Sequence, residues 1–329
     1  MTNQASEPTK SPWIHSPLFD ILFIANVSWV LLIIPAIIHA GSGTVDFWQV
    51  YYLVMPHRWM TLFLVATDRD RRDNHSRLLF SIVLGLAVIV GGSYWSSGAF
   101  LCLGFIDYIW NAWHFSSQHT GILRIYSRKT DLGNEWLERH GLRAFIVYAI
   151  LRTAGGMVWS TSQLSYAMPL LHWLDFAILA IPLFILFIHL KSWQKSHLAK
   201  SVYLMSMLTL YVGYLVAGHF ELDAWILCFA TAASLFHAIE YLAIVSHYAL
   251  RRKQIGSADL IRELGKRWGL VLSIFLVGLG SFGWWITTLS AELQMIWQGV
   301  NLWAAYTHYA FDGIIWKLRK PTTAKALGA

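Results

Sequence analysis

Apolar residues run through the chain in stretches of about 20, each broken by a short polar connection. A stretch of that length crosses a hydrocarbon core as an α-helix, because the helix satisfies its own backbone polar groups where no water is present. The pattern predicts spans at 18–40, 47–67, 78–97, 99–119, 142–161, 170–190, 201–219, 222–248, 267–289 and 293–316. The expected fold class is therefore all-α, a polytopic integral membrane bundle of about ten helices. It divides into a cytosolic N-terminal tail (1–17), a single transmembrane helical domain (18–316) and a basic cytosolic C-terminal tail (317–329).

Charge sets the orientation. Nearly every Lys and Arg falls in "DRDRRDNHSR", in the stretch from Gly121 to Gly141, in "KSWQKSHLAK", between Arg251 and Lys266, or after Lys317. The alternate connections, around "GSGTVD", Ser97, "TSQLSYAM", "FELD" and "SAEL", hold none. Basic loops stay in the cytosol, so both termini are expected there. Arg58 and Arg152 lie well within spans, where Asp107 or Glu240 are candidate partners, and Arg143 lies near a span end. The mixed stretch from Ile122 to His140 is expected to hold a helix lying in the interface.

Composition agrees with a membrane protein at 56% hydrophobic residues, and the 18 Trp suit interfacial belts and bundle packing. A net charge of +7 sits in loops, beside lipid headgroups, and does not call for nucleic acid. Cys102 and Cys228 both lie in apolar runs, which suggests neither a disulfide framework nor a thiolate zinc site. The first 17 residues lack the apolar core of a signal peptide, so insertion is expected to rely on the first span. The expected location is a bacterial inner (cytoplasmic) membrane.

Against this apolar background the ionisable residues stand out, since each costs several kcal/mol at membrane depth and normally faces the bundle interior. "MPHRWMTLFLVATD" carries His57 with Thr61 one turn on, and Asp68 at the cytosolic end. "LGFIDYIWNAWHFSSQHTG" places Asp107, Asn111, His114 and Gln118 on one stripe at helical spacing, with His119 off it. "SLFHAIEYLAIVSHY" has Ser234, His237 and Tyr241 on one face, with Glu240 alongside and His247 further on. "NLWAAYTHYAFDGIIWK" repeats the arrangement with Asn301, His308 and Asp312.

A lone membrane histidine is more often an interhelical hydrogen bond than a ligand, so depth decides the reading. His57 stands eleven residues before Asp68, His114 ten before Arg124, His237 fourteen before Arg251 and His308 nine before Lys317. At about 1.5 Å per residue these depths agree to within roughly 8 Å. The four histidines thus share one level in the cytosolic half of the membrane. His15, His39, His75, His140, His172, His189 and His197 fall in tails, loops or span ends. His219 and His247 also end spans, and His247 is placed to cap the cytosolic mouth.

Neutral imidazole with carboxylate suits divalent first-row metals, and two histidines with one carboxylate suit a non-haem Fe(II) that activates dioxygen. The expected ligands are His57, His114, His119, His237, Glu240, His308 and Asp312, enough for one ion or two, with Glu240, Tyr241 and Asp312 as catalytic candidates. Either the site is dinuclear, or several of these residues orient the true ligands. The expected function is an iron oxidoreductase using dioxygen on a lipid or isoprenoid, with the bilayer, a hydrophobic small molecule and an electron-donor protein as partners. Two alternatives stay open. One is a haem protein with two axial histidines, for electron transfer or gas chemistry. The other is a proton- or cation-coupled transporter, although the spans lack the paired Gly/Pro breaks of unwound transport sites.

The ordered set "MPHRWMT", "WHFSSQH", "FHAIEYLAIVSH" and "THYAFDGIIWK" resembles the Brp/Blh-type membrane carotenoid dioxygenases, and more distantly it is similar to histidine-box membrane oxygenases and desaturases. That resemblance implies iron held by His57, His114, His237 and His308, and oxidation of a long apolar substrate from within the bilayer.

Overall fold

The computed structural model describes residues 11–32, 50–159, 167–252, 260–317 and Leu327. It is helical throughout, with no strand among the described residues. The principal helices are α1 (Met55–Thr67), α2 (Ser76–Ser97), α3 (Leu101–Thr130), α4 (Leu142–Trp159), α5 (Met168–Lys191), α6 (Leu198–His219), α7 (Asp223–Arg252), the short α8 (Leu260–Gly265), α9 (Trp268–Ile286) and α10 (Ala291–Ile315).

Five segments are long and apolar enough to cross a membrane: α2, α5, α6 with the turn before it, α7 and α9. Their surroundings differ. The most apolar windows of α2, α5 and α9 are only 11%, 17% and 17% buried, against 61% for α6 and 78% for α7. A helix apolar all round and left uncovered by protein belongs against lipid, so α2, α5 and α9 form the periphery and α6 and α7 the centre. The polar faces of α3 and α10 lower their hydropathy below that mark, and α1 is short.

Four helices make a closed square. α10 packs on α1 and α3, and α7 packs on the same two from the other side. α3 and α10 run in one direction, because Tyr306 reaches the Leu103 carbonyl (2.6 Å) and Tyr309 reaches Asp107 (3.0 Å), while Asp312 lies beside His114. One flank of the square is sealed by apolar packing among α3, α4, α6 and α7, with Leu123, Phe145, Met207 and Phe236 fully buried. Between helices in lipid such contacts act through close packing, since leaving the tails gains little. Gly213 shows the closeness of α6 to α7: a Cβ there would stand 2.6 Å from the Phe229 ring.

Two expectations change. The predicted span 18–40 is not one helix over its described part, while 33–40 lies outside the described residues. Asp20–Ile24 form a π-turn, Asn26 takes φ +43°, and Val27–Leu32 continue as a 3-10 helix. The cause is local: Asp20 accepts the backbone N–H groups of Ile14 (2.7 Å) and His15 (3.0 Å) and the Tyr126 hydroxyl (2.8 Å). That pins the chain, and Asn26 tolerates a left-handed turn, its Oδ1 accepting from the Ser28 hydroxyl. The second change concerns Ile122 to His140. The helix expected to end at 119 continues to Thr130, because Ile122, Leu123, Ile125 and Tyr126 are buried against the bundle. Its C-terminal end is tied down by Glu138, which accepts from Arg124 (2.8 Å), Ser127 (2.8 Å) and Lys200 (2.5 Å). The expected connections "GSGTVD" and most of "TSQLSYAM", and most of both tails, lie outside the described residues.

Candidate metal centre

Each side of the helical square contributes one imidazole. His57 from α1, His237 from α7, His114 from α3 and His308 from α10 follow one another around a ring. Centroid separations are 5.0 Å (His57–His237), 4.9 Å (His237–His114), 4.6 Å (His114–His308) and 5.0 Å (His308–His57). His57 is 1% exposed, His237 and His308 not at all, and His114 7%.

Buried polar nitrogens normally have hydrogen-bond partners, because an unmet one costs about 1–3 kcal/mol. Here Nδ1 of His57, Nε2 of His114, both nitrogens of His237 and Nε2 of His308 are buried and unmet. Ligand nitrogens of His57, His237 and His308 lie within 4.8 Å of one another, and His114, His308 and Asp312 form a second such group sharing His308. Opposed ligands on a metal with bonds of about 2.0–2.1 Å stand about 4 Å apart, so this donor set fits a first-row ion with small inward shifts.

The ring is braced on the side of Asp312. Thr61 Oγ1 lies 2.6 Å from His308 Nδ1, contacts the Tyr241 hydroxyl and donates to Asp312 Oδ1 at 3.3 Å. The Tyr241 hydroxyl donates to the same oxygen (3.2 Å), and Trp316 Nε1 donates to Tyr241 at 3.4 Å. With its proton on Nδ1 and donated to Thr61, His308 leaves its Nε2 lone pair free. Asp312 Oδ2 stands 3.8 Å from His114 Nε2 and 3.7 Å from His308 Nδ1. On the opposite flank Phe115 stacks on His237 at 4.0 Å and sets the plane of that ring.

Two expected ligands sit elsewhere. Glu240 is fully buried, yet its carboxylate turns from the ring toward α6 and α3. It accepts from Tyr203 (2.5 Å) and Gln118 (2.7 Å), and His119 Nδ1 approaches it at 3.0 Å. His119 is engaged through both nitrogens, since Nε2 lies 3.0 Å from the Tyr211 hydroxyl. His119 and Glu240 are therefore corrected from ligands to members of a second polar cluster. The physical reason is that the i+3 offset turns Glu240 aside from His237, and α6 supplies tyrosines that meet it. Gln118 joins the two clusters, donating also to the His237 carbonyl (3.0 Å).

Tyr203 and Tyr211 are the functional neighbours that sequence reading missed. Their eight-residue spacing on one face of α6 is a usable signal, although in this Tyr-rich chain it does not point to Glu240. Arg152 is matched to neither Asp107 nor Glu240. It pairs with Asp175 (3.2 Å), which also accepts from Tyr148 (2.7 Å) and faces His219 Nδ1 (3.0 Å). His247 lies away from the ring, with Nδ1 3.2 Å from Nδ1 of His15. Tyr248 donates to Asp68 at the C-terminal end of α1.

The arrangement thus holds a nitrogen-rich, water-excluding cage with one carboxylate at its edge, and a separate buried Glu–His–Tyr cluster behind it. No protein-family model, no curated protein and no solved structure matches the chain.

Proposed function

We propose that the chain is an integral membrane oxidoreductase that holds non-haem iron in the four-histidine ring and uses dioxygen on a hydrophobic substrate. The observation that carries this reading is the set of five buried, unmet imidazole nitrogens on four histidines from four helices, whose neighbouring rings stand 4.6–5.0 Å apart. Four neutral imidazoles with Asp312 at the edge are the donors such an ion takes, and iron bound there would supply dioxygen activation. The two ligand groups share His308, an arrangement that suits one ion or two adjacent ones. The close packing favours non-haem iron over haem: with two imidazoles as axial ligands, the other two occupy the plane a porphyrin needs.

The chain's own residues have separable tasks. His57, His114, His237 and His308 would hold the ion, Thr61 orients His308, and Tyr241 with Asp312 holds a proton at the cytosolic edge of the ring. A bilayer-borne substrate has an apolar approach. A groove of about 380 Å³ between α2 and α10 is lined by Val90, Tyr94, Phe100, Gly299 and Trp303. Trp303 packs against Trp59, two residues after His57. The charge asymmetry of the connections supports about ten spans with both termini in the cytosol, which sets the ring in the cytosolic half of a bacterial inner membrane. An electron-donor protein on that side completes the reading.

The test is elemental analysis of full-length protein purified in detergent without added metal, followed by oxygen uptake with isoprenoid and acyl-chain substrates. Iron near one equivalent, lost in a His237→Ala variant, supports the proposal. Active protein free of transition metal overturns it.

A further inference from the structure

Tyr241 stands between the histidine ring and a line of further oxidisable side chains. Its phenol lies 5.2 Å from His308 and 5.8 Å from His57, centroid to centroid. Tyr248 follows it by seven residues on α7, two helical turns on, so the two tyrosines share one face about 10 Å apart along the axis. Trp316, the residue after α10 ends, fills the space between them. Its indole lies 6.3 Å from Tyr241 and 5.6 Å from Tyr248, edge-on to each. The Trp316 N–H donates to the Tyr241 hydroxyl at 3.4 Å. At the far end the Tyr248 hydroxyl donates to Oδ2 of Asp68, a carboxylate with no exposed surface.

Apolar packing insulates this line along its length. Met60, Leu64, Val245, Phe311 and Ile315 join Tyr241 and Tyr248 in one buried cluster, with Trp316 packed against it. Asp68 opens the basic connection "DRDRRDNHSR" and Trp316 precedes Lys317, so the line runs from the ring to a charged end of the bundle. Indole and phenol are among the most readily oxidised side chains. A phenol oxidised in an apolar interior needs a base for its proton, because a bare positive charge there is not solvated. Asp68 is placed to be that base for Tyr248.

We infer, resting on the metal-centre proposal above, that Trp316 and Tyr248 form an electron relay that restores the ring iron when dioxygen has oxidised it and no hydrophobic substrate is bound. Trp316 gives one electron, across Tyr241, to the oxidised iron. Tyr248 then reduces Trp316: its phenolic O–H bond breaks, the electron fills the indole and the proton passes to Asp68 Oδ2. A thiolate at the charged end supplies one electron to the tyrosyl radical and becomes a thiyl radical, while Asp68 returns the proton. Each turn moves one electron from thiolate to iron and no net proton. The oxidising equivalent is thereby drawn away from His57, His308 and Tyr241, the side chains nearest to it.

The experiment uses full-length protein in detergent, loaded with iron(II) without air and mixed with dioxygen, or in a second series with hydrogen peroxide, in the absence of hydrophobic substrate. Samples frozen during the reaction, without thiol, are read by electron paramagnetic resonance in wild type, Trp316→Phe and Tyr248→Phe. Neither residue belongs to the ring, so both variants are expected to keep the iron content of wild type. Wild type is expected to give a tyrosine radical, recognised because ring-deuterated tyrosine changes its hyperfine pattern. Tyr248→Phe should lose that signal and Trp316→Phe should diminish it several-fold. After repeated turnover with dithiothreitol as the thiol, oxygen adducts on His57, His308 and Tyr241, read by peptide mass spectrometry, should rise several-fold in both variants. Trp316→Tyr, which puts back an oxidisable side chain, should bring them down again. A radical undiminished in Tyr248→Phe, no tyrosine radical with either oxidant, or adducts that do not rise or that stay high in Trp316→Tyr overturn the inference. Should Trp316→Phe fail to fold, Tyr248→Phe, which removes a single oxygen atom, decides alone. Wild type that takes up no iron overturns the metal-centre proposal and this inference with it, whereas iron-loaded protein without the Tyr248 radical overturns this inference only.

Discussion

Thr61 Oγ1 lies 2.6 Å from Nδ1 of His308, and the other nitrogen of that imidazole, Nε2, is buried with no polar partner. A ligating histidine is oriented and its tautomer fixed by what its second nitrogen touches, and removing such a partner costs roughly 10–100-fold in metal affinity. Thr61→Val keeps the shape of the side chain and removes the hydroxyl. The expected outcome is a loss of that size in iron or cobalt affinity, measured by competition with a chelator of known strength, with the helical content unchanged.

Glu240 and His119 separate ligands from supports. Because the Glu240 carboxylate faces Tyr203, Gln118 and His119, Glu240→Gln should retain full metal stoichiometry, whereas His57→Ala or His308→Ala should lose it. Glu240→Ala should also bind metal, yet it removes the acceptor shared by Tyr203, Gln118 and His119, at about 1–3 kcal/mol for each buried donor that its remaining partners do not satisfy. Elemental analysis beside thermal unfolding in detergent distinguishes the two effects. Metal lost from Glu240→Gln at unchanged stability would return Glu240 to the ligand set.

Asp175 holds Arg152, Tyr148 and His219 together far from the ring. Removing one partner of a buried pair strands the other charge, which costs about 3–5 kcal/mol. Asp175→Asn should therefore lower the unfolding midpoint strongly while the metal content per folded molecule stays the same. Asp175→Asn with Arg152→Met should recover part of the loss.

Orientation is open to chemical labelling in a cysteine-free background. A cysteine at Lys266 should react with a membrane-impermeant maleimide only after cells are opened, and one at Thr288 should react in intact cells once the outer layers are permeabilised. The reverse pattern would sink the N-in, C-in topology.

The common level of His57, His114, His237 and His308 is legible in the sequence, because each distance to a flanking charge is counted along a regular helix. Their convergence on one centre needs the square of α1, α7, α3 and α10, and nothing local in the chain specifies which helices are neighbours. The pairing of His237 with Glu240 reads wrongly for the same reason: its outcome depends on Tyr203 and Tyr211, brought alongside by α6. The first span misleads through Asp20, whose carboxylate captures backbone N–H groups and a tyrosine from α3 and so breaks the regular helix that apolar counting expects. The end of α3 misleads because a charged surface covers a buried one, with Ile122 and Tyr126 packed inward beside exposed Arg128.

The wide sequence separation of the four histidines bears on biogenesis. His57 emerges from the ribosome well before His308, so a nascent chain can insert several helices while the cage still lacks a wall. Until α10 docks, three imidazoles face a gap in the bundle. On the metal-centre proposal, capture by the full ring would then follow the docking of α10.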